Sequence, residues 1–145
     1  TQTLSIVIPA FNEALTIHLI LEKIQAVELT TGAQVVIVVK DCSTDGTRVA
    51  VAEYMQAHPG FPLRYFEHER NQGKGAALHT GIREAGGDYI IIQDADLEYD
   101  PREYNLLLQP VLDGMADVVY GSRFMGGNPH RILFFWHSIG NKFLT

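Results

Sequence analysis

The chain has 145 residues, and its content of 46% apolar and 19% charged residues is typical of one globular domain. It carries 11 basic and 17 acidic residues, a formal charge of −6, and this acidic balance argues against a nucleic-acid-binding protein. Cys42 is the single cysteine, which excludes an intramolecular disulfide and argues against a cysteine-based zinc site.

Apolar runs that predict strands alternate along the chain with patterns that predict helices. Strands are predicted at residues 4–8, 35–39, 63–68, 89–92 and 117–120. Helices are predicted at residues 17–27, 47–57, 75–85 and 100–113, and a last amphipathic stretch predicts a helix at 131–144. The helix at 100–113 has the clearest start, because Asp100 can cap it and Pro101 suits its first turn.

Three of the five strand-like runs are apolar almost throughout, which is typical of parallel strands covered by helices on both faces. The predicted fold class is therefore α/β, with three α/β/α layers around an open, mostly parallel sheet. We treat residues 1–145 as one domain, and we expect the protein to continue beyond them because the last predicted helix reaches the chain end. The longest apolar run has about five residues, whereas a membrane span needs about 20. With no signal-peptide pattern either, we expect a cytoplasmic location.

Polar residues follow three of the predicted strands at their carboxyl ends, at residues 9–13, 40–47 and 93–98. Ligands of open α/β sheets bind beyond the carboxyl ends of the strands. Because parallel strands end at the same edge, we expect the three clusters to share one site.

The acidic cluster Asp94, Asp96 and Glu98 indicates a metal site. In an extended segment, residues i, i+2 and i+4 point to the same side, so their carboxylates repel one another unless a cation lies between them. Oxygen ligands of this kind suit Mg²⁺ or Mn²⁺ and leave coordination positions for phosphate oxygens. The alternative is a solvated acidic turn or a helix cap, although Asp100 already provides the cap.

Asp41 and Lys74 are candidates for nucleotide contacts. Asp41 follows a buried strand and can accept hydrogen bonds from a base or a ribose, and the alternative is that it or Ser43 caps the next helix. Lys74 lies in a glycine-rich turn before a helix, where backbone N–H groups and an ammonium can hold an anion. The alternative is a tight turn with a surface lysine, and the turn matches neither a Walker A loop nor a dinucleotide fingerprint.

Arg123 and Arg131 are candidates for phosphate contacts. Arg123 lies in the segment 121–124 that follows the fifth predicted strand, and Arg131 lies eight residues further along the chain. The planar guanidinium group binds phosphate oxygens with two parallel hydrogen bonds. A surface salt bridge is the alternative for either residue.

Five motifs, in this order, resemble those of family 2 glycosyltransferases with the GT-A fold. They are IPAFNE at 8–13, VVKDCSTDGT at 38–47, NQGKGAALHTG at 71–81, GDYIIIQDADLEYDP at 87–101 and GSRF at 121–124. Within that family the chain is most similar to the branch that includes dolichyl-phosphate mannose synthase and bacterial polyprenyl-phosphate glycosyltransferases. Each motif alone is a weak signal, whereas five in order over almost the whole chain are specific.

The resemblance implies that residues at the carboxyl ends of the strands bind a nucleoside-diphosphate sugar. The nucleotide contacts that it implies are Pro9, Ala10, Asn12, Glu13, Asp41, Arg123 and Arg131. The implied metal ligands are Asp94 and Asp96, which are also the implied catalytic residues, with Glu98 as a third acidic contact. The implied cofactor is a divalent cation, Mg²⁺ or Mn²⁺.

The reaction that the resemblance implies is sugar transfer from a UDP- or GDP-sugar to an acceptor, with inversion at the anomeric carbon. The acceptor would be a lipid phosphate such as polyprenyl phosphate, or a glycan, and the full-length protein would then associate with the inner face of a membrane. Family members carry acceptor-side segments well beyond residue 145, so the chain would be the N-terminal part of the catalytic domain. Two alternatives stay open: a nucleotide-sugar-binding fragment without transfer activity, and an aspartyl-nucleophile phosphatase.

Lys40 departs from the family pattern, which commonly has a second aspartate before Asp41. The matching contact to the nucleotide is therefore open, and the local charge differs by two units. We expect Lys40 to border a solvent-facing cleft, so that Lys40→Asp would leave the fold intact.

Overall fold

Six strands form one sheet in the computed structural model, which describes residues 1–42, 44–122 and 132–137. They are β1 (Gln2–Ala10), β2 (Gly32–Asp41), β3 (Leu63–His68), β4 (Tyr89–Ile92), β5 (Val118–Ser122) and β6 (Ile132–His137). Their order across the sheet is β3-β2-β1-β4-β6-β5. The first four strands pair in parallel, and β6 runs antiparallel to both β4 and β5. The predicted α/β class with a mostly parallel sheet is confirmed.

Four α-helices occur within the described ranges: α1 (Ile17–Gln25), α2 (Thr47–Ala57), α3 (Lys74–Glu84) and α4 (Tyr104–Leu112). They lie where the sequence predicts helices, with small shifts at the ends. A 3₁₀ turn leads into α4, and the Asp100 side chain accepts a hydrogen bond from the backbone N–H of Arg102 at 3.0 Å, which confirms the predicted cap. None of the helices in the described part of the chain has both the length and the apolar character needed to cross a bilayer.

The sheet separates two hydrophobic cores, because successive side chains of a strand point to opposite faces. Leu4, Ile6 and Ile8 of β1 pack on the face that α1, α2 and α4 cover, and Val7 packs on the face that α3 covers. All four side chains are fully buried. The predicted three layers are therefore confirmed. Strand β1 is paired on both sides and packed on both faces, so the position of the loop at its carboxyl end is well defined.

The helix predicted at residues 131–144 is wrong in its central part, where the structure has strand β6. Residues 131 and 138–145 lie outside the described residues. The segment ILFFWH at 132–137 consists mainly of aromatic and branched residues, which favour strands. It pairs with β4 on one side and β5 on the other, so its backbone groups are hydrogen-bonded in both directions. A short apolar run is compatible with either element, and the neighbouring strands decide between them.

Lys40 is buried, with 6% of its surface exposed, and the prediction that it borders a solvent-facing cleft is wrong. It lies opposite Glu67 of β3 in the sheet register, and its Nζ is 3.6 Å from Oε1 of Glu67. The same carboxylate contacts Nε of Arg48 at 3.2 Å and accepts a hydrogen bond from the Tyr65 hydroxyl at 2.9 Å. Burial raises the pKa of Glu67, but the Tyr65 hydroxyl and the two cations outweigh it and lower that pKa.

Gly81 of α3 is expected to tolerate no side chain. A Cβ at this position would lie 2.3 Å from Cγ1 of the buried Val7, so Gly81→Ala must push the helix and the sheet apart. We expect urea denaturation to show a loss of about 1–3 kcal/mol in the free energy of unfolding. Gly75→Ala is the matched control in the same helix, because its added Cβ would meet no atom within 4 Å beyond the adjacent residues and the backbone of the helix itself. It should leave stability unchanged or raise it by up to about 1 kcal/mol, and equal effects of both changes would contradict the packing of α3 on β1.

Lys40→Asp is expected to destabilise the fold, because it sets a second carboxylate beside the partly buried Glu67. We expect a loss of about 2–4 kcal/mol in the free energy of unfolding at pH 7, because Glu67 then loses one of its two cationic partners and gains a like charge beside it. Lys40→Met keeps the apolar stem without adding a negative charge and should cost less. The difference between the two variants should shrink at acidic pH, where the carboxylates become protonated. An unchanged stability of Lys40→Asp would restore the cleft interpretation.

Candidate functional site

A cavity of about 320 Å³ opens at the carboxyl ends of β1, β2 and β4, beside the first turn of α3. Its lining includes seven residues that the sequence analysis singled out: Pro9, Ala10, Glu13, Asp41, Lys74, Asp94 and Asp96. Segments far apart in the chain meet here because parallel strands end at the same edge of the sheet. The prediction that three polar clusters share one edge is confirmed.

Four predicted site residues are not found in this lining. Asn12 and Glu98 are close in sequence to lining residues but do not line the cavity themselves, and Arg123 and Arg131 lie outside the described residues. Phe11, which the sequence analysis did not single out, lines the cavity and is 48% exposed. The feature of the sequence that could have indicated Phe11 as a site residue is its aromatic ring next to polar residues, directly after a buried strand.

The chain does not continue as an extended segment through the acidic cluster, so the geometric argument for three aligned carboxylates is wrong. It turns over residues 95–97, where Leu97 has a positive φ of 65°. Within the turn, the backbone N–H of Glu98 donates to Oδ1 of Asp96 at 3.2 Å. Asp94 and Asp96 still reach one cavity, but they do so because of the turn, and the same turn leaves Glu98 out of the lining.

The buried side chain of Gln93 holds this turn through hydrogen bonds to its backbone. Its Nε2 donates to the backbone carbonyl oxygens of Asp94 at 3.0 Å and of Tyr99 at 3.3 Å, one on each side of the turn. Its Oε1 accepts a hydrogen bond from the Tyr104 hydroxyl at 2.6 Å, and both side chains are completely buried. Burial raises the pKa of Tyr104, so the hydroxyl keeps the proton that it donates. This role of Gln93 was not predicted, and its only signal in the sequence is a lone amide at the end of an apolar strand.

Asp41, at the end of β2, is 4% exposed and holds the turn before α3. Its carboxylate accepts hydrogen bonds from the backbone N–H groups of Gln72 at 2.9 Å and Gly73 at 2.7 Å. Nδ1 of His68 lies 2.9 Å from the same carboxylate, and Nε2 of His68 lies 2.9 Å from Oγ1 of Thr80 on α3. Burial raises the pKa of Asp41, but these three partners outweigh it and lower the pKa below its ordinary value. The alternative that Asp41 caps α2 is therefore wrong.

The turn that Asp41 holds places Lys74 at the cavity. Gly73 has a positive φ of 90°, a conformation that favours glycine, and its N–H also donates to Oδ1 of Asn71 at 3.0 Å. Lys74 follows as the first residue of α3, and its Nζ lies 2.6 Å from Oδ1 of Asp94. The lysine therefore joins the glycine-rich turn to the acidic turn, 20 residues further along the chain.

The loops after β1 and β2 are tied to each other by Asp45 and Thr47. The two carboxylate oxygens of Asp45 accept hydrogen bonds from the backbone N–H groups of Ala14 at 3.0 Å and Thr47 at 3.1 Å. Oγ1 of Thr47 accepts one from the N–H of Glu13 at 3.0 Å. These bonds fix the backbone of Glu13 beside the cavity. Ser43, the other cap candidate from the sequence, lies outside the described residues.

The described lining of the cavity is strongly negative. It contains the four carboxylates of Glu13, Asp41, Asp94 and Asp96 and one ammonium, that of Lys74. These charges repel an anionic ligand such as a diphosphate unless a cation accompanies it. The described residues contain no group of three His, Cys, Asp or Glu side chains that could hold a metal ion. Two aspartates nevertheless fit Mg²⁺ or Mn²⁺, because such ions are bound through one or two carboxylates and complete their coordination with water and phosphate oxygens.

Comparison with known proteins identifies the family. The profile described as Glycosyl transferase family 2 matches residues 5–137. A dodecaprenyl-phosphate galacturonate synthase from Rhizobium johnstonii is 33% identical over 121 residues, which are 83% of this chain and 36% of that protein. A dolichol-phosphate mannosyltransferase from Pyrococcus furiosus is 28% identical over 123 residues, which are 85% of this chain and 34% of that protein. The chain thus spans about a third of the length of these curated relatives.

The solved structures agree with the fold. A mannosyltransferase from Pyrobaculum calidifontis, solved in complex with GDP-Man and Mn²⁺, matches with a TM-score of 0.78 and 25% sequence identity. The match covers 98% of this chain and 46% of that one. The predicted GT-A fold and the predicted similarity to polyprenyl- and dolichyl-phosphate glycosyltransferases are confirmed. Since the family profile spans nearly all of its residues, this chain belongs to glycosyl transferase family 2.

Proposed function

We propose that this protein is a glycosyltransferase that moves a sugar from a UDP- or GDP-sugar to a polyprenyl phosphate, and that residues 1–145 form its nucleotide-sugar-binding part. The observation that carries this proposal is the cavity that Asp94, Asp96 and Lys74 share at the carboxyl ends of the strands in a family 2 chain. The names of the relatives, which refer to dodecaprenyl phosphate and dolichol phosphate, support the acceptor. The GDP-Man bound by the mannosyltransferase neighbour supports the donor class.

Asp94 and Asp96 would hold a divalent cation, Mg²⁺ or Mn²⁺, against the diphosphate of the donor. When bound, such a cation supplies Lewis-acid stabilisation of the charge that grows on the leaving diphosphate. The Mn²⁺ in the mannosyltransferase neighbour supports this assignment. The proposal relies on the two aspartates and not on Glu98, which does not line the cavity.

Lys74 and the first turn of α3 would contact the negatively charged diphosphate. The ammonium of Lys74 lines the cavity, and the N-terminus of the 11-residue helix borders it. Helix N-termini favour anions, because their first N–H groups have no partner inside the helix. Arg123 and Arg131 remain proposed phosphate contacts on the evidence of their sequence context alone.

The nucleoside would lie between the loop after β1 and the end of β2. Pro9 and Ala10 line this part of the cavity, and the half-exposed ring of Phe11 offers a surface on which a base can stack. Oδ2 of Asp41 receives a hydrogen bond from Gly73, and a carboxylate oxygen can accept a second one from a base or a ribose. Asp41 would therefore serve the ligand and the turn before α3 at the same time.

The proposed reaction is a single displacement that inverts the anomeric carbon. An acceptor phosphate attacks from the face opposite the diphosphate, the new C–O bond forms, and the nucleoside diphosphate leaves with the bonding electron pair. A phosphate monoester has a second pKa of about 6, so the acceptor is largely ionised at neutral pH and needs no strong base. The described residues would then bind and orient the donor and hold its leaving group. A lipid acceptor would bring the full-length protein to the cytoplasmic face of a membrane.

Asp94→Asn and Asp96→Asn are expected to weaken metal-dependent nucleotide binding. Each change removes one of the two anionic ligands proposed for the cation, so calorimetric titration with UDP and GDP in Mn²⁺ should show binding at least about tenfold weaker. Asp113→Asn is the matched control, since it makes the same change in charge at the exposed end of α4. If the two cavity variants bind nucleotide with the wild-type dependence on Mn²⁺, the metal assignment is wrong.

A transfer assay on the full-length protein tests the function itself. We expect sugar transfer from a UDP- or GDP-sugar to polyprenyl phosphate to require Mg²⁺ or Mn²⁺ and to stop when the metal is chelated. Metal-dependent nucleotide binding without transfer by that protein would favour the binding-only alternative. Phosphatase activity with a covalent aspartyl intermediate would overturn the proposal.

A further inference from the structure

The ammonium of Lys74 lies on one of the carboxylates proposed to bind the cation. Its Nζ is 2.6 Å from Oδ1 of Asp94, a short distance for a charge-assisted hydrogen bond. The side chain of Lys74 is 58% exposed and that of Asp94 is 17% exposed. The lysine side chain therefore has open space into which it can move, whereas the aspartate is held within the cavity wall.

The backbone of Lys74 is fixed by the turn that precedes it, which is hydrogen-bonded to a buried carboxylate. The two residues before it, Gln72 and Gly73, both donate their N–H groups to the carboxylate of Asp41. Asp41 is itself held by His68, whose side chain is 10% exposed. Any change of partner by Lys74 thus takes place through its side chain alone, with the turn before α3 unchanged.

Asp94 has two competing cationic partners under the proposed function. A divalent cation binds a carboxylate oxygen at about 2.1 Å, and the ammonium already lies 2.6 Å from Oδ1 of the same carboxylate. Two cations on one carboxylate lie close together and repel each other, so the ammonium weakens the binding of the divalent cation. A diphosphate in the cavity removes the conflict, because its oxygens offer Lys74 another anionic partner.

We propose that Lys74 couples the binding of the divalent cation to the binding of the nucleoside diphosphate. Without nucleotide, the ammonium stays on Asp94 and weakens cation binding. With nucleotide, it moves to the diphosphate and leaves Asp94 to the cation. By linkage, each ligand then strengthens the binding of the other by the same factor. This inference rests on the proposed function, since it takes a nucleoside diphosphate as the ligand.

The test measures Mn²⁺ binding to the full-length protein by the EPR signal of free Mn²⁺, without nucleotide and with saturating UDP or GDP. Lys74→Gln removes the competing charge while keeping a side chain of similar reach. Without nucleotide, we expect this variant to bind Mn²⁺ at least about threefold more tightly than the wild type, the scale of a partly exposed ion pair. The factor by which nucleotide tightens Mn²⁺ binding should fall by at least about threefold.

Two further variants separate this coupling from a general effect of charge. Arg83→Gln makes the same change in charge near the other end of α3, outside the cavity lining, and should leave both Mn²⁺ affinities at wild-type values. Lys74→Arg keeps a cation at the site and should keep Mn²⁺ binding without nucleotide weak. Thermal melting of all three variants confirms that each is folded.

The outcomes distinguish this inference from the proposed function. If nucleotide binding depends on Mn²⁺ but Lys74→Gln binds Mn²⁺ alone no more tightly than the wild type, the inference is overturned and the proposed function stands. The same holds if Arg83→Gln has an equal effect. If the wild type binds neither UDP nor GDP in the presence of Mn²⁺, the proposed function fails, and the inference fails with it.

Discussion

Repulsion among carboxylates gathered at one edge of the sheet is the constraint on which this site depends. Glu13, Asp41, Asp94 and Asp96 line one cavity, and two unit charges 4 Å apart interact by about 4 kcal/mol at an effective dielectric of 20. Donors placed by the fold offset part of this cost: backbone N–H groups reach Asp41 and Asp96, and the ammonium of Lys74 reaches Asp94. The remaining negative charge makes the cavity unfavourable for a bare anion and favourable for one that arrives with a cation.

The loops that hold these carboxylates contain strained backbone, and side-chain hydrogen bonds keep it in place. Asn12, Cys42 and Leu97 have φ values of 53°, 46° and 65°, and each follows a strand that ends at the cavity. Such conformations cost a non-glycine residue about 1 kcal/mol or more, so they persist only where the surroundings enforce them. Gln93 bonds to carbonyl groups on both sides of the turn that contains Leu97. Asp45 ties together the two loops that contain Asn12 and Cys42.

Neighbouring residues at the end of β2 serve different parts of the molecule, because side chains alternate across a strand. Asp41 lies on the α3 side and lines the cavity, whereas Lys40 lies on the other side, paired with Glu67 of β3. The family commonly has an acidic residue where Lys40 stands. In this chain the positive charge has an acidic partner directly across the sheet, so the departure is accommodated on the face that α2 covers, away from the carboxylates of the cavity.

The sequence by itself determined the fold class, the four helices, the first five strands and the edge of the sheet where the site lies. These features follow from local hydrophobic periodicity and from the rule that parallel strands end together. The tertiary structure decided which polar residues reach the cavity. Asp96 and Glu98 both carry a carboxylate, and they follow Asp94 at intervals of two residues. The turn held by Gln93 nevertheless brings Asp96 into the cavity lining and leaves Glu98 out of it. Strand β6 and the buried pair of Lys40 and Glu67 likewise depend on partners distant in the chain, and packing between such partners is not encoded in any local pattern.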